Sequence, residues 1–327
     1  MLKKMFSIIM VIVMFTMMGG AFAQEGDRVA NPIRRDYHPI SQVELVKEGD
    51  DLFLILKGEL PDGCEFMPHI QLDRVGTTLF VDIYRELPFD VMCPMVLLSY
   101  EEKIPANDLY ETEGNLPDVR VVVINGTLFG IDRFGSDMPA LNPLWVRGVL
   151  PYSNISVTRT ETDEKQITLA GTLTDGCAVP IYRAVPDWQN EGFTVIEAYV
   201  GIPLNASCLQ IEERYEAIML TAPMTSFAVN GVAVPYKPDN DEPQEFRVDA
   251  IAITSVSAEW EDKSLSPNVK ITVSGVVDGC DDPISIAPQP TGDNSYVLEV
   301  VRVMPVNTVC TMIARDFTQT VTFAPVF

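Results

Sequence analysis

The sequence predicts an all-β chain of three tandem small β-sandwich (Ig-like) modules, each with one internal disulfide, behind an N-terminal signal peptide. Three observations support this prediction. A cysteine motif occurs three times, apolar residues alternate with other residues before each copy, and no helical periodicity longer than about two turns appears. A chain of 327 residues is too long for one small core and suits three modules of about 100 residues.

The cysteine motif is Asp-Gly-Cys, followed about thirty residues later by Pro-x-x-x-x-Cys, and its three copies account for all six cysteines. An even number of cysteines in an exported chain favours disulfides over metal thiolates. Other pairings are possible, but only pairing within copies gives each repeat the same closed unit, with both cysteines at one pole of the module. The expected disulfides are Cys64–Cys93, Cys177–Cys208 and Cys280–Cys310.

Residues 1–23 have the pattern of a signal peptide. Two lysines form a basic start, residues 6–18 are uncharged and mostly apolar, and Ala21-Phe22-Ala23 matches the small-x-small cleavage pattern. The apolar run is shorter than the roughly 20 residues that a spanning helix needs. We therefore expect a secreted or periplasmic protein with no membrane span after cleavage.

The charge balance narrows the classes of partner. The chain has 46 acidic and 23 basic residues and a formal net charge of −23, which repels nucleic acid and anionic membranes. Hydrophobic residues make up 47% of the chain, which is far too many for a disordered protein. We expect no nucleic-acid partner, and an unknown protein or glycan as the ligand.

Composition shifts place the module boundaries. Gly- and Pro-rich or acidic segments lie between the copies of the motif, and polar linkers of this kind predict modules with separate cores. The expected division is residues 24–36 as an N-terminal tail, 37–134 as module 1, 135–150 as a linker, 151–236 as module 2, 237–246 as an acidic linker and 247–327 as a shortened module 3.

Each module contains one strand with a single acid between two apolar residues. This pattern predicts a strand with one buried and one wet face, and the acids on the wet face are Asp82, Glu197 and Glu299. Residues three and seven positions past the second cysteine share a strand face and should be core. They are Val96, Ile211 and Ile313, then Tyr100, Tyr215 and Phe317.

The modules differ at their ends. Modules 1 and 2 continue to Asn125-Gly126 and Asn230-Gly231, which are two-residue hairpin signals. Copy three stops at Phe327 and has no room for that hairpin, so we expect another segment to cover this sheet edge of module 3, with a bare edge guarded by charge as the alternative. The N-terminal tail, the linker before Phe246 or a second copy of the chain would cover it, the last by weak self-association.

Copy one resembles a known secreted module. The run from Gly58 to Cys64, the Pro-x-x-x-x-Cys motif, Tyr100-Glu101-Glu102-Lys103-Ile104-Pro105 and a Val-x-Val before Asn125 carry the likeness. That small β-sandwich module occurs, often repeated, in exported proteins and lipoproteins of environmental bacteria, Chloroflexota among them. The resemblance implies export and a sandwich fold and carries no established activity. Family members have Arg before the Pro, where this chain has Leu87, Ile202 and Met304.

The sequence offers no catalytic constellation. Only His38 and His69 are available as histidines, and the cysteines are taken by disulfides, so we expect no enzyme, catalytic residue or cofactor. Three acids crowd the third Asp-Gly-Cys turn and are candidates for a weak calcium site, with a solvated turn as the alternative. They are Asp278, Asp281 and Asp282.

These observations favour a non-enzymatic exported protein that acts as a spacer or binding surface at the cell envelope or outside the cell. One alternative is a secreted inhibitor of a protease or other hydrolase, with apolar loops such as Leu87-Pro88-Phe89 at the cysteine pole. Another is a carbohydrate- or calcium-binding adhesion protein. The tryptophans available to a sugar are Trp145, Trp188 and Trp260, which do not recur between copies.

Overall fold

The structure is a computed structural model that describes residues 33–64, 67–106, 119–132, 140–162, 164–187, 190–240, 242–261, 268–280, 282–292, 295–311 and 313–323. The expected signal peptide lies outside the described residues. All 23 elements of the described chain are β-strands, which confirms the all-β prediction. No helix in this part of the chain has the length and apolar character of a membrane span.

Module 1 is a sandwich of two sheets. Its strands are β1 (Ile33–Tyr37), β2 (Gln42–Glu48), β3 (Asp51–Leu60), β4 (His69–Val75), β5 (Thr78–Pro88), β6 (Leu98–Pro105), β7 (Val121–Ile124), β8 (Thr127–Asp132) and β9 (Ala140–Asn142). One sheet has the order β2-β3-β6. The other has the order β1-β5-β7-β8-β9, with β4 on the opposite edge of β5.

Modules 2 and 3 repeat this plan. The strands of module 2 are β10 (Trp145–Val149), β11 (Tyr152–Arg159), β12 (Lys165–Asp175), β13 (Val179–Pro186), β14 (Phe193–Pro203), β15 (Gln210–Thr221), β16 (Ser226–Val229) and β17 (Val232–Ala233). Those of module 3 are β18 (Gln244–Ala250), β19 (Ala252–Glu261), β20 (Asn268–Val277), β21 (Ile284–Gly292), β22 (Ser295–Pro305) and β23 (Arg315–Phe323). Each module contains one disulfide, and the pairs are Cys64–Cys93, Cys177–Cys208 and Cys280–Cys310.

The same long strand runs through the middle of each module, and we call β5, β14 and β22 the central strands. The first strand of each module, β1, β10 or β18, pairs antiparallel with the second half of its central strand. In modules 1 and 2 a short strand, β7 or β16, pairs in parallel with the first half. That strand is followed at once by Asn125 or Asn230, whose positive φ of 45° or 51° confirms the predicted hairpin turns.

An aromatic ring lies on a glycine at the same point of the β3–β6 pair in module 1 and of the β12–β15 pair in module 2. Tyr100 pairs in register with Gly58, and Tyr215 with Gly171. A Cβ atom on either glycine would overlap the tyrosine ring and a backbone oxygen, so the position needs glycine. Each tyrosine hydroxyl donates a hydrogen bond to the carbonyl of Pro39 (2.7 Å) or Pro151 (2.8 Å). The ring therefore ties the sheet to the chain that enters it.

The residues three positions past each second cysteine differ from the expectation of a core position. Val96, Ile211 and Ile313 are 53%, 44% and 62% exposed. They lie before or at the very start of β6, β15 and β23, where the chain is still part of the cysteine loop, so the strand period does not yet apply. Of the residues seven positions past the cysteine, Tyr215 is buried and Tyr100 and Phe317 are half-buried.

The outer face of the central strand in module 1 is not wet but packs against module 2. Phe80 joins Val179 and Ile181 in one buried cluster across the junction. Arg183 of β13 forms ion pairs with Asp82 of module 1 and, at 2.7 Å, with Glu197 of its own module. Two of the three acids predicted to face solvent, Asp82 and Glu197, thus meet a cation that lies between the two modules.

Modules 2 and 3 share both a sheet and a core. Strand β18 pairs with β11 of module 2 and with β22, which makes one six-stranded sheet of order β15-β12-β11-β18-β22-β21. Phe246 and Val303 of module 3 are buried in the same cluster as Leu150 of module 2. Shared burial of this kind differs from the separate cores that polar linkers predict.

The ranges predicted as linkers contain strands. Residues 135–150 include β9 and β10, residues 237–246 include the start of β18, and the predicted N-terminal tail includes most of β1. These segments look polar or Pro-rich in sequence, but each first strand is held by the edge of a central strand. The division into three independent modules at the stated boundaries stays a prediction.

Replacing Phe246 with alanine should loosen modules 2 and 3 together. The side chain is 2% exposed within the shared cluster, and removing it should cost about 3–5 kcal/mol. Hydrogen exchange read by mass spectrometry should show faster exchange in both β12 and β22. As a control, Val273→Ala alters a cluster made only of module 3 residues and should affect module 3 alone. If Phe246→Ala speeds exchange only in module 3, the shared core is not a cooperative unit.

Candidate binding surfaces

The Asp-Gly-Cys turn is held in the same way in all three modules. The carboxylate of Asp62 accepts a hydrogen bond from the amide of Cys64 (3.0 Å), as Asp175 does from Cys177 (2.9 Å). The amide of each turn glycine donates to the carbonyl of the residue after the second cysteine, which joins the turn to the opposite loop. A side chain that accepts from the amide two residues on is the reason Asp suits this position. Each disulfide thus lies beside a backbone cross-link.

A buried arginine supports this turn in module 1. Arg85, on the inner side of β5, is 1% exposed. Its guanidinium donates to Asp62 at 2.6 Å and to the Cys64 carbonyl at 2.9 Å, with Asp36 of β1 at 3.6 Å. The hydrogen bond from Arg85 lowers the pKa of Asp62 below its usual range. The arginine therefore connects the first strand, the central strand and the cysteine turn.

Module 3 repeats this arrangement and module 2 does not. Arg302 lies 2.7 Å from Asp278, and Asp249 of β18 lies opposite it as Asp36 lies opposite Arg85. In module 2 the paired positions hold Gly148 and Val200. The sequence contains a sign of this feature, because copies one and three have Arg three residues before the Pro. The ion pairs with Asp36 and Asp249 could not be predicted, since they depend on the pairing of β1 and β18 with the central strands.

Of the three acids predicted as a weak calcium site, the structure describes Asp278 and Asp282, and their surroundings differ. Asp278 is already paired with Arg302, whose hydrogen bond lowers the pKa of Asp278. Asp282 is half-buried, and Asp281 lies outside the described residues. In each module the turn aspartate lies close to two cysteine sulfurs, but those sulfurs are bonded to one another and are not thiolates. A metal at the third turn would have to compete with a guanidinium.

The two histidines are both in or next to the sheet of module 1 that contains β5. His69 stacks on Tyr84 with ring centroids 5.3 Å apart. His38 is 3% exposed and packs edge-on against Tyr100. Both ring nitrogens of His38 are buried without a hydrogen-bond partner among the described residues. Burial, and then the charge of Arg85, lower the pKa of His38.

The cysteine pole of module 1 carries a group of exposed apolar side chains, which we call the methionine patch. Met92 and Met95 flank the second cysteine and are 94% and 96% exposed. Large exposed apolar groups that lie together on a soluble protein mark interaction sites, and methionine adapts its shape to a partner. The patch comprises Met67, Phe89, Met92, Met95, Val96 and Leu97.

The loop suggested for an inhibitor is only partly accessible. Phe89 is 52% exposed, but Leu87 is fully buried because it points into the sandwich from the end of β5. An inhibitory loop at this pole would therefore begin after Pro88. The positions of Met92 and Met95 around Cys93 identify them as loop residues, but no pattern in the sequence predicts that both side chains are exposed.

A cleft of about 850 Å³ lies between modules 1 and 2. Its walls combine polar and apolar side chains with the pole of module 2. Asn142 donates to the carboxylate of Asp132 at 3.1 Å on one side. The lining residues that could contact a ligand are Thr77, Arg120, Asp132, Leu144, Trp145 and Asn205.

The three tryptophans lie in different parts of the chain and do not form a common site among the described residues. Trp145, predicted to be in a linker, begins β10, and its indole packs on Gly130 and Gly201 at the edge of the cleft. Trp260 is exposed on β19, away from the cleft, and Trp188 lies outside the described residues. The described tryptophans are not brought together into one sugar platform.

Module 1 is similar to a known family of domains. A family model described as the ORF11 beta-sandwich domain matches residues 54–130. This range runs from β3 to β8 and includes the disulfide, Arg85 and the Asn125-Gly126 hairpin of module 1. No curated protein and no solved structure matches the chain. The match agrees with a β-sandwich for module 1 and identifies no activity.

Replacing Arg85 with valine should destabilise module 1 by about 2–3 kcal/mol, because Asp62 and Asp36 would lose their buried cation. The double variant Arg85→Val with Asp36→Gly reproduces the pair that module 2 uses and should recover part of that loss. Urea denaturation of the single and double variants gives both values. A single variant that loses less than about 0.5 kcal/mol would show that the arginine does not support the pole.

Module 1 should lose stability as the pH falls from about 6.5, the ordinary pKa of histidine. Because the pKa of His38 is lowered in the folded protein, the unfolded chain binds the proton first, and stability declines until the folded pKa is reached. The contribution of Asp62 is lost only in a more acidic range, since its pKa is also lowered. His38→Phe should remove the decline that begins at about pH 6.5 in thermal melts. Parallel curves for both proteins would contradict this assignment.

Proposed function

We propose that the chain is a non-enzymatic exported scaffold that holds the methionine patch in a fixed position for binding another protein at the cell envelope or outside the cell. The exposure of Met92 and Met95 beside a disulfide is the observation that carries this proposal. The disulfide, the Asp62 turn and Arg85 hold the base of the loop, so the loop loses less freedom on binding than an untethered one. Export accords with the disulfides and with the resemblance of copy one to modules of exported bacterial proteins.

Direct contacts between neighbouring modules support the role of a spacer. The contacts around Arg183 join modules 1 and 2, and the continuous sheet joins modules 2 and 3. A scaffold of this kind presents its loops at set distances from its point of attachment. A hydrolase inhibitor would be one form of the same function, because the methionine patch could enter an apolar cleft of an enzyme.

Carbohydrate binding in the cleft between modules 1 and 2 is the second candidate. Amides, one acid, one arginine and the edge of an indole line a space large enough for a small saccharide. The indole of Trp145 is largely taken up by packing, which is why this candidate comes second.

A photo-reactive amino acid at position 97 tests the first proposal. In the full chain, mixed with the secreted and surface proteins of the producing cell, it should give discrete cross-linked products. Excess wild-type protein should compete for them, and the Met92→Ser, Met95→Ser double variant should not. The matched control carries the same group at Leu220, which is 58% exposed on β15 outside the pole.

The same products from both positions, or none, would contradict the proposal. Saturable binding of a soluble glycan that is lost in Arg120→Ala and kept in the methionine double variant would favour the second candidate instead.

A further inference from the structure

The methionines of the described chain fall into two groups by exposure. Met67, Met92 and Met95 belong to the methionine patch and are 87%, 94% and 96% exposed. The others are at most 4% exposed, and they are Met219, Met224 and Met304. Because access decides how readily a side-chain sulfur is oxidised, a reagent in the solvent attacks the first group much faster than the second.

The sulfur atoms of the two groups also differ in their surroundings. The sulfur of Met304 accepts a hydrogen bond from the guanidinium of Arg247 at 3.1 Å, and that of Met224 accepts from the hydroxyl of Thr221 at 3.8 Å. These lone pairs are engaged inside the protein as well as shielded from solvent. At the patch, the almost complete exposure of Met92 and Met95 leaves their thioethers facing water.

Methionine is the sulfur-containing side chain that this protein leaves open to oxidation. All six cysteines are joined in three disulfides, so no thiol competes for an oxidant. Hydrogen peroxide is a two-electron oxygen donor: a lone pair of the thioether sulfur forms the S–O bond, the O–O bond breaks, and water leaves. The sulfur is oxidised and the peroxide is reduced. The product, methionine sulfoxide, is polar where the thioether was apolar.

The base of the methionine patch does not depend on its thioethers. Cys93, which is held by the disulfide, lies between Met92 and Met95 in the sequence, and the carbonyl of Pro94 accepts from the amide of Gly63 at 2.7 Å. The exposed methionine side chains extend into solvent rather than into the sandwich core. Oxidation should therefore make this surface polar and leave module 1 folded, whereas a sulfoxide in a core disrupts packing.

We propose that Met67, Met92 and Met95 form a site of reversible oxidation, and that their conversion to sulfoxides turns off binding at the methionine patch. This inference rests on the proposed function, because it concerns the same binding surface. A sulfoxide oxygen buried against an apolar partner loses its hydrogen bonds to water, so binding should weaken about tenfold. Enzymes that reduce methionine sulfoxide can reverse the step: a dithiol supplies two electrons, and the oxygen leaves as water.

Limited treatment of the full chain with hydrogen peroxide tests the inference without a partner. Peptide mass spectrometry should show oxidation about tenfold faster at the three patch methionines than at the three buried ones. The treated protein should elute earlier from a phenyl-substituted resin, because its surface is less apolar, and its thermal melting curve should not shift. The matched control is the triple variant Met67→Leu, Met92→Leu, Met95→Leu, which keeps the apolar surface without sulfur. Its elution should not change on treatment.

The photo-reactive group at position 97 connects oxidation to partner binding. Peroxide treatment before mixing should reduce the cross-linked products about tenfold in the otherwise unaltered protein. The triple leucine variant should give the products both before and after treatment.

Three results of the partner-free test would overturn the inference: equal oxidation rates in the two groups of methionines, a lower melting temperature after treatment, or an equal change of elution in the leucine variant. Cross-linked products that survive oxidation of the patch would overturn it as well, and would leave the proposed function intact. If the untreated protein gives no products, the proposed function is contradicted, and mass spectrometry and elution alone confirm or refute the oxidation site.

Discussion

Burial of both faces of the central strand is the constraint on which the rest of the structure depends. In module 1 the inner face of β5 lies in the sandwich core and the outer face packs against module 2, so an acid on that outer face needs a partner. Arg183 supplies a shared cation for Asp82 and Glu197. At the junction of modules 2 and 3, no described arginine forms an ion pair with Glu299. Desolvation raises the pKa of Glu299, and the side-chain amide of Gln289 donates to its carboxylate at 3.4 Å. The two junctions therefore accommodate the same acid position in different ways.

Stacking through the central strands determines where the poles point. The pole of module 2 lines the cleft against module 1, whereas the pole of module 1 bears the exposed methionine patch. The disulfide and the Arg85 network hold the pole of module 1 from inside, so its loop can carry apolar residues without deforming the sandwich. Module 3 joins this stack by strand pairing through β18 rather than by face-to-face packing alone. Among the described strands, β22 is the one central strand without a parallel neighbour.

The sequence predicted features that depend on neighbouring residues, but it did not predict the contacts between modules. The cysteine repeat, the alternation before it and the Asn-Gly pairs predicted the disulfides, the sandwich strands and the hairpins, because each depends on a few neighbouring residues. The outer face of β5 was misjudged because one acid, Asp82, suggested solvent, although Phe80 and Tyr84 on the same face indicated burial. Trp145 looked like a linker residue, since the packing of an indole on Gly130 is visible only once two modules are in contact. The Arg85 network needs the register of β1, which no local pattern supplies.

The distance between modules 1 and 3 tests the central claim most directly. Spin labels attached through unnatural amino acids at positions 44 and 259, both exposed, avoid the disulfides. Pulsed electron paramagnetic resonance on the full chain should give one narrow distance distribution, which broadens when Arg183→Ala removes the cation between Asp82 and Glu197. A broad distribution in the unaltered protein would show that the modules move as separate bodies, and burial of the outer faces would then not govern the fold.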